Sequence, residues 1–287
     1  MADNEREADL RKEFIDTAVK AVVKIEEKWK SLCAVDTSSA WTESYFRETN
    51  DDSTDGGTGS PIKGVPQYAP FPFFDVSETK VSSIIQKYAG ESIISLEAQQ
   101  NATVPMLQRK IYRLGRKIVY QVDSAIEAIV NTDRGNTVAI AAGNEWDSAT
   151  SANRDPIKDI LDCIQTLRED GINALSGNGY LVVNGTDYTN LISNSKVLTH
   201  PTYESGVMQN GQVGKILGLT IVVSEVTTGD SAYVLVARQG MVWKQAEGMT
   251  VVTIVDQGKS TTIRAWERGV FQLQAPNEVC ELTNTRK

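Results

Sequence analysis

VPMLQRKIYRLGRKIVYQVDSAIEAIVN, residues 104–131, is the stretch around which the rest of the chain is organised. Leu107, Ile111, Leu114, Ile118, Val122, Ile126 and Ile129 recur at steps of three and four, the period of one face of an α-helix. The stripe runs for about seven turns, roughly 40 Å at 1.5 Å per residue, so the spacing predicts a single rod spanning the molecule. Thr103 followed by Pro105 suits its start. Gly115 inside it costs about 1 kcal/mol relative to alanine. The first half also carries RKIYRLGRK, in which Arg109, Arg113 and Arg116 share one face with Lys110 and Lys117 beside it. Such a face is either solvated and paired with acids elsewhere, or a positive surface toward phosphates or the acidic arms of neighbours.

On the N-terminal side, Leu10, Phe14, Ala18, Val22, Ile25 and Trp29 give Asp9 to Lys30 the same helical spacing, with Lys12, Asp16, Lys20, Glu27 and Lys30 on the other face. That apolar stripe needs a partner in this chain or in another copy. From Trp41 to Gln100 the character changes. WTESYFRET alternates like a strand, DDSTDGGTGS is a loop tip, four prolines break PIKGVPQYAPFPFF, and KVSSIIQKY and GESIISLEA return to short β-like runs. Ordering these residues costs about 1–2 kcal/mol of backbone entropy each, and the segment offers too little contiguous apolar surface to offset it alone. It is expected to be either a surface loop without fixed structure or an arm lying on neighbouring subunits. Tyr68, Phe71, Phe73 and Phe74 within it mark contact sites, or fold back locally on their own chain.

On the C-terminal side, Asp155 and Pro156 start a helix whose buried stripe is Ile157, Ile160, Leu161, Ile164 and Leu167, ended by Gly171. YLVVNGTDYTNLISN reads as a buried strand, an Asn-Gly turn and a short helix capped by Thr186 or Asp187. KILGLTIVVSEV, SAYVLVAR, MTVVTIVDQ and TTIRAWERGVFQLQ each read as one strand. Helices and strands segregate by region, which favours an α+β fold.

The chain has 287 residues, with 29 basic and 37 acidic side chains for a net charge of −8. At 40% hydrophobic and 23% charged residues it matches globular domains, excluding fibrous or wholly disordered classes. No apolar run reaches membrane-spanning length, and MADNEREADL is unlike a signal peptide, so a cytosol-like compartment is expected. A pI near 4.9 argues against a protein devoted to coating nucleic acid. Cys33, Cys163 and Cys280 have no metal-ligand or redox spacing and are expected to be small core hydrophobes. His200, the single histidine, lacks a nucleophile motif around it. GQVGKILG lacks the spacing of a phosphate loop. Asp51, Asp52 and Asp55 lack the glutamate that would close a calcium loop. No catalytic, cofactor or metal residues are therefore expected.

The order of segments, together with GYLVVNGTDYTNLISN, GQVGKILGLTIVVSEV followed by SAYVLVARQGMVW, and TTIRAWERGVFQLQAPNEVCELT, resembles the major capsid proteins of tailed phages, the Hong Kong type of capsid fold also found in encapsulins and the herpesvirus capsid floor. The resemblance implies an N-terminal arm (1–40), an extended loop with flanking strands (41–100), a spine helix in a peripheral domain (101–134), an axial domain (135–255) and a C-terminal return strand of the peripheral domain (256–287). It implies hexamers and pentamers of this chain closing into an icosahedral shell, assembled in a host cytoplasm and found in the virion. Packaged double-stranded DNA would be held non-specifically, with portal, scaffold and decoration proteins as further partners and no membrane. Expected intersubunit contacts are Phe14, Trp29, Trp41, Arg47, Tyr68, Phe71, Phe73, Phe74, Arg264, Glu267 and Arg268; Arg109, Arg113 and Arg116 form an inner-surface or intersubunit basic face. Members that cross-link pair a loop lysine with an asparagine and a glutamate. Lys259 and Trp266 stand near the latter positions, so no isopeptide bond is expected, with Lys63, Asn277 and Glu267 as the remaining opening. An encapsulin-like compartment, a soluble hydrolase using His200 and a monomeric binding module are the alternatives.

Overall fold

A computed structural model describes residues 17–21, 23, 26–48, 65–70, 78–95, 97–98, 106–198, 214–227 and 229–287. The spine helix forms where its periodicity places it, over Met106–Asp133. Ile111, Leu114, Ile118, Val122 and Ile126 are buried, and Val119 and Val130 widen the stripe. The N-terminal helix is interrupted: residues 17–21, 23 and 26 are helical, Glu27 and Lys28 are not, and a second short helix spans Trp29–Leu32. Asp123 of the spine helix explains the break, because its carboxylate accepts the backbone N–H groups of Lys28 at 2.9 Å and Lys30 at 3.0 Å, bonds a continuous helix would direct to its own carbonyls.

Among the described residues the strands are, in chain order, β1 (Ala34–Thr37), β2 (Thr42–Glu48), β3 (Glu78–Ile84), β4 (Gln86–Ser95), β5 (Asn136–Ala139), β6 (Gly179–Val183), β7 (Lys215–Ile216), β8 (Leu219–Val223), β9 (Ser231–Val236), β10 (Met241–Asp256), β11 (Ser260–Leu273) and β12 (Val279–Thr283). They make a four-stranded sheet in the order β1-β10-β11-β4, a six-stranded sheet in the order β5-β12-β9-β6-β8-β7, and the separate ribbon β2-β3.

The six-stranded sheet is covered on both faces, which is why the β9 sequence SAYVLV is apolar without alternation. Ala232, Val234 and Val236 pack on one side with Ile160, Cys163, Ile164 and Leu167 of the helix Pro156–Glu169. Tyr233 and Leu235 point the other way, toward Trp29, Val122 and Ile126. The N-terminal half of the spine helix crosses the four-stranded sheet, where Ile111, Leu114 and Ile118 meet Ile94, Val251 and Ile263, and where Val19 and Val23 of the N-terminal helix close the cluster. The chain passes from one sheet to the other through the spine helix, between β4 and β5, and again at 237–240 and at 274–278, and these last two crossings are tied together: Gln274 N–H donates to the Gly240 carbonyl at 2.7 Å and Gly240 N–H to the Glu278 carboxylate at 2.6 Å.

Three local readings are corrected. KILGLTIVVSEV is not one strand: Leu217 and Gly218 both take positive φ (50° and 85°), the geometry of a tight hairpin turn, and separate β7 from β8. The helix Gly185–Ser193 is capped by Asn184, whose side chain accepts the Thr186 N–H at 3.0 Å, and not by Thr186 or Asp187; the acid is drawn away into a buried pair described below. Residues 41–100 are neither a loop without fixed structure nor an arm on neighbouring subunits throughout. Strand β4 pairs with β11 residue for residue from Gln86↔Gly269 to Ser95↔Ser260, and Tyr45, Ile85 and Ile94 are buried in their own chain. The stabilising partner of 86–95 is thus a strand 170 or so residues away in the same chain, a pairing that local composition does not register.

Candidate functional site

The ribbon has one docked and one open face. In β2 alternate residues point to opposite sides. Tyr45 is buried, and Arg47 donates to Asp133 at the end of the spine helix at 2.7 Å and to the Tyr45 hydroxyl at 3.1 Å. On the other side Phe46 is 60% and Ile84 57% exposed, with Ser44 and Ser82 hydrogen-bonded at 2.8 Å between them. Trp41, at the base of the ribbon, is 70% exposed, with the Arg268 guanidinium 5.9 Å from its ring.

Beside the ribbon, the outer face of the four-stranded sheet carries two adjoining grooves of about 430 and 490 Å³ that share Lys87 and Trp266. Their walls hold each other in place: Arg264 Nε lies 2.8 Å from the Glu91 carboxylate, Lys87 Nζ sits 4.9 Å over the Trp266 ring, and Trp266 Nε1 donates to Glu247 at 2.9 Å. Ile93, Ile254 and Val255 are exposed at the free end of the sheet. Large apolar groups left in water forgo about 1.5–3 kcal/mol each, so covering this set with another surface would be favourable.

Where ionisable groups are buried, they hold segments together. Lys30 donates to Glu27 at 3.0 Å and to Glu267 of β11, itself 1% exposed. Burial works against the ammonium, yet the two carboxylates outweigh it and raise the Lys30 pKa above its ordinary value. Burial pushes Asp123 up to about 6 despite its backbone donors. At the other end of the chain, Asp187 accepts the Thr285 hydroxyl at 3.0 Å and pairs with Arg286 at 3.1 Å, and burial raises it also to about 6.

The expected contact residues are thus dispersed. Trp41, Arg264 and Arg268 lie on the groove surface and Arg47 fixes the ribbon to its own spine helix. Tyr68 is wholly exposed. Trp29 and Glu267 are corrected: Trp29 is fully enclosed, edge-on to Tyr233 at 5.3 Å, and Glu267 is spent on Lys30, so neither presents a side chain to a neighbour. Both were chosen for sequence position, which does not reveal burial. Phe14, Phe71, Phe73, Phe74, Lys63 and His200 lie outside the described residues. Arg109, Arg113 and Arg116 do share an exposed helix face. The three cysteines are buried, and burial raises the Cys33 thiol pKa far above its usual value. Phe46 and Ile84 were missed as contact candidates, although the alternation of β2 and β3 was their signal. Among the described residues no group of three or more His, Cys, Asp or Glu side chains could hold a metal ion, and no helix is long and apolar enough to cross a membrane.

A long helix beneath a four-stranded sheet, a second six-stranded sheet and a separate ribbon make up an α+β fold. Solved structures share the fold. A capsid of the cyanophage P-SCSP1u superposes with a TM-score of 0.66 at 14% identity over 90% of this chain and 88% of that one. A virus-like particle from Pyrococcus furiosus gives 0.62 at 13% identity over 95% and 99%, and the mature capsid of bacteriophage PhiM1 gives 0.59 at 14% over 88% and 85%. No curated protein sequence matches. A family model described as phage capsid protein matches residues 78–277, and the chain belongs to that family. It is a major capsid protein, a structural component of a virion that associates with copies of itself into a shell, and the family match does not favour the encapsulin-like alternative.

Proposed function

We propose that hexamers and pentamers of this chain close into an icosahedral shell, in a host cytoplasm, around double-stranded DNA held non-specifically. The observation that carries this reading is a pair of exposed apolar areas, Phe46, Ile84 and Trp41 on the ribbon and Ile93, Ile254 and Val255 at the tip of the sheet. Two separated apolar areas on one subunit suit head-to-tail contacts, which close into rings when the rotation allows. In this reading the four-stranded sheet with the spine helix acts as the peripheral domain, the six-stranded sheet as the axial domain, and the ribbon as the flank of the extended loop, so that β10 falls with the peripheral and β12 with the axial domain, unlike the bounds 135–255 and 256–287 expected from sequence. Trp41, Arg264 and Arg268 then meet neighbouring subunits. Portal, scaffold and decoration proteins are the further partners such a shell implies. The role is structural, without an enzyme activity.

Electron micrographs of the expressed protein test the reading. Closed particles or capsomer rings are expected; a chain that stays monomeric at tens of micromolar and forms neither overturns it. Particles filled with protein rather than DNA would return the compartment alternative.

A further inference from the structure

The spine helix has a second, chemically distinct face that its packing does not use. Between Met106 and Val122 it carries five cations, Arg109, Lys110, Arg113, Arg116 and Lys117, and no acid before Asp123. In a chain of net charge −8 this segment alone is +5, so the remainder sums to −13. At 3.6 residues per turn, Arg109, Tyr112, Arg113, Arg116, Lys117 and Tyr120 fall within an arc of about 140°. All six are exposed, while Ile111, Leu114 and Ile118 occupy the opposite side. Among the described residues, few acids reach this face. Glu26 of the N-terminal helix lies 3.5 Å from Arg116 and accepts the Tyr112 hydroxyl at 2.7 Å, and Lys110 is turned away to the Ile93 carbonyl. Arg109, Arg113 and Lys117 have no ion pair among the described residues.

We propose that this face is a docking surface for the phosphate backbone of duplex nucleic acid, read without base sequence. The proposal rests on the capsid reading and deepens it by assigning the contact to one helix face. Its three uncommitted cations span about 12 Å of helix axis, a length over which B-form DNA carries roughly seven phosphates. Guanidinium groups match phosphate oxygens bidentately and remain charged at any working pH. The exposed Tyr120 hydroxyl beside them adds a neutral donor of the kind that contacts phosphates. Contacts from such side chains to phosphate oxygens carry no sequence information, so the face recognises charge rather than bases.

The test uses the full-length chain kept below its assembly concentration and a fluorescent 30-base-pair duplex of random sequence, with binding followed across a salt series. Wild type is expected to bind at low salt with a logarithmic salt slope of about −3, and Arg109→Gln/Arg113→Gln/Lys117→Gln to lose most of that slope and at least tenfold in affinity. Removing the same charge elsewhere, in Lys158→Gln/Lys215→Gln/Lys259→Gln, is expected to leave binding within twofold. Equal binding by the two triple variants, no binding by wild type at low salt, or tighter binding of polyglutamate than of DNA at equal charge would overturn the proposal, the last by reassigning the face to an acidic protein segment. Unfolding curves of both variants show that they remain folded. Micrographs keep the two readings apart: normal particles from a wild type that ignores DNA sink this inference alone, whereas absent particles sink the shell.

Discussion

The ammonium of Lys30 donates to the carboxylate of Glu267, joining the N-terminal segment to the middle of β11 across 237 positions of sequence. With Glu27 at 3.0 Å from the same nitrogen and Asp123 bonded to the adjacent backbone, the short helix Trp29–Leu32 is pinned from two sides. Removing one member of a buried pair leaves the other charge stranded. Lys30→Met is expected to destabilise the chain by about 3–5 kcal/mol, and Lys30→Met/Glu267→Met by much less. Urea unfolding of the two variants decides it; equal losses would mean that the ion pair is not the coupling.

Asp123 sets a pH dependence of defined sign. Its folded pKa of about 6 lies above the unfolded value near 3.9, so the folded state holds the proton more tightly. Its contribution to stability is present in full below the unfolded value and is lost as pH rises through 6. Asp187, displaced in the same direction, adds to the trend. Between pH 7.5 and pH 5 the unfolding free energy of Asp123→Asn is expected to change less than that of wild type, by on the order of 2 kcal/mol. An unchanged difference in denaturant titrations at the two pH values would exclude burial of this acid as the source.

Two glycines make opposite tests of packing. A β-carbon at Gly269 would stand 2.4 Å from Trp243 Cζ2 and 2.9 Å from the Lys244 carbonyl, where a fixed ring and backbone cannot yield. At Gly90 it would meet only the end of Leu114, at 2.8 Å. Gly269→Ala is expected to cost about 2–3 kcal/mol and Gly90→Ala about 1 kcal/mol or less, measured by thermal unfolding.

Assembly and folding are separable on the open face of the ribbon. Phe46→Ser/Ile84→Ser removes exposed apolar surface without touching the docked side, so the stability of the isolated subunit is expected to stay within about 0.5 kcal/mol. The concentration needed for assembly, followed by light scattering, is expected to rise at least tenfold. A variant that assembles like wild type removes the ribbon from the contact.

The cysteines are expected to be silent in the native protein. Cys33, Cys163 and Cys280 are each no more than 4% exposed, and burial disfavours the Cys33 thiolate. A thiol-reactive dye at pH 8 is expected to label none of them until denaturant is added, when three groups react; rapid labelling of the native chain would contradict their burial.

The 3.6-residue period of the spine helix, the Asp155-Pro156 start of the second helix and the strand character of 42–48 and 78–95 follow from the amino-acid order alone, because they reflect local geometry and side-chain alternation. The cations between Arg109 and Lys117 were equally legible as one face. Sequence order does not say which apolar residue finds a partner inside its own chain. Trp29 and Trp41 look alike in composition, and only packing against the spine helix and Tyr233 of β9 buries the first, while the second stays 70% exposed. The same holds for Glu267, whose carboxylate is set by Lys30, and for residues 86–95, ordered by β11. Local spacing fixes elements and their faces; which faces meet depends on contacts between residues far apart in sequence, whose free energy is realised only when the whole chain has folded.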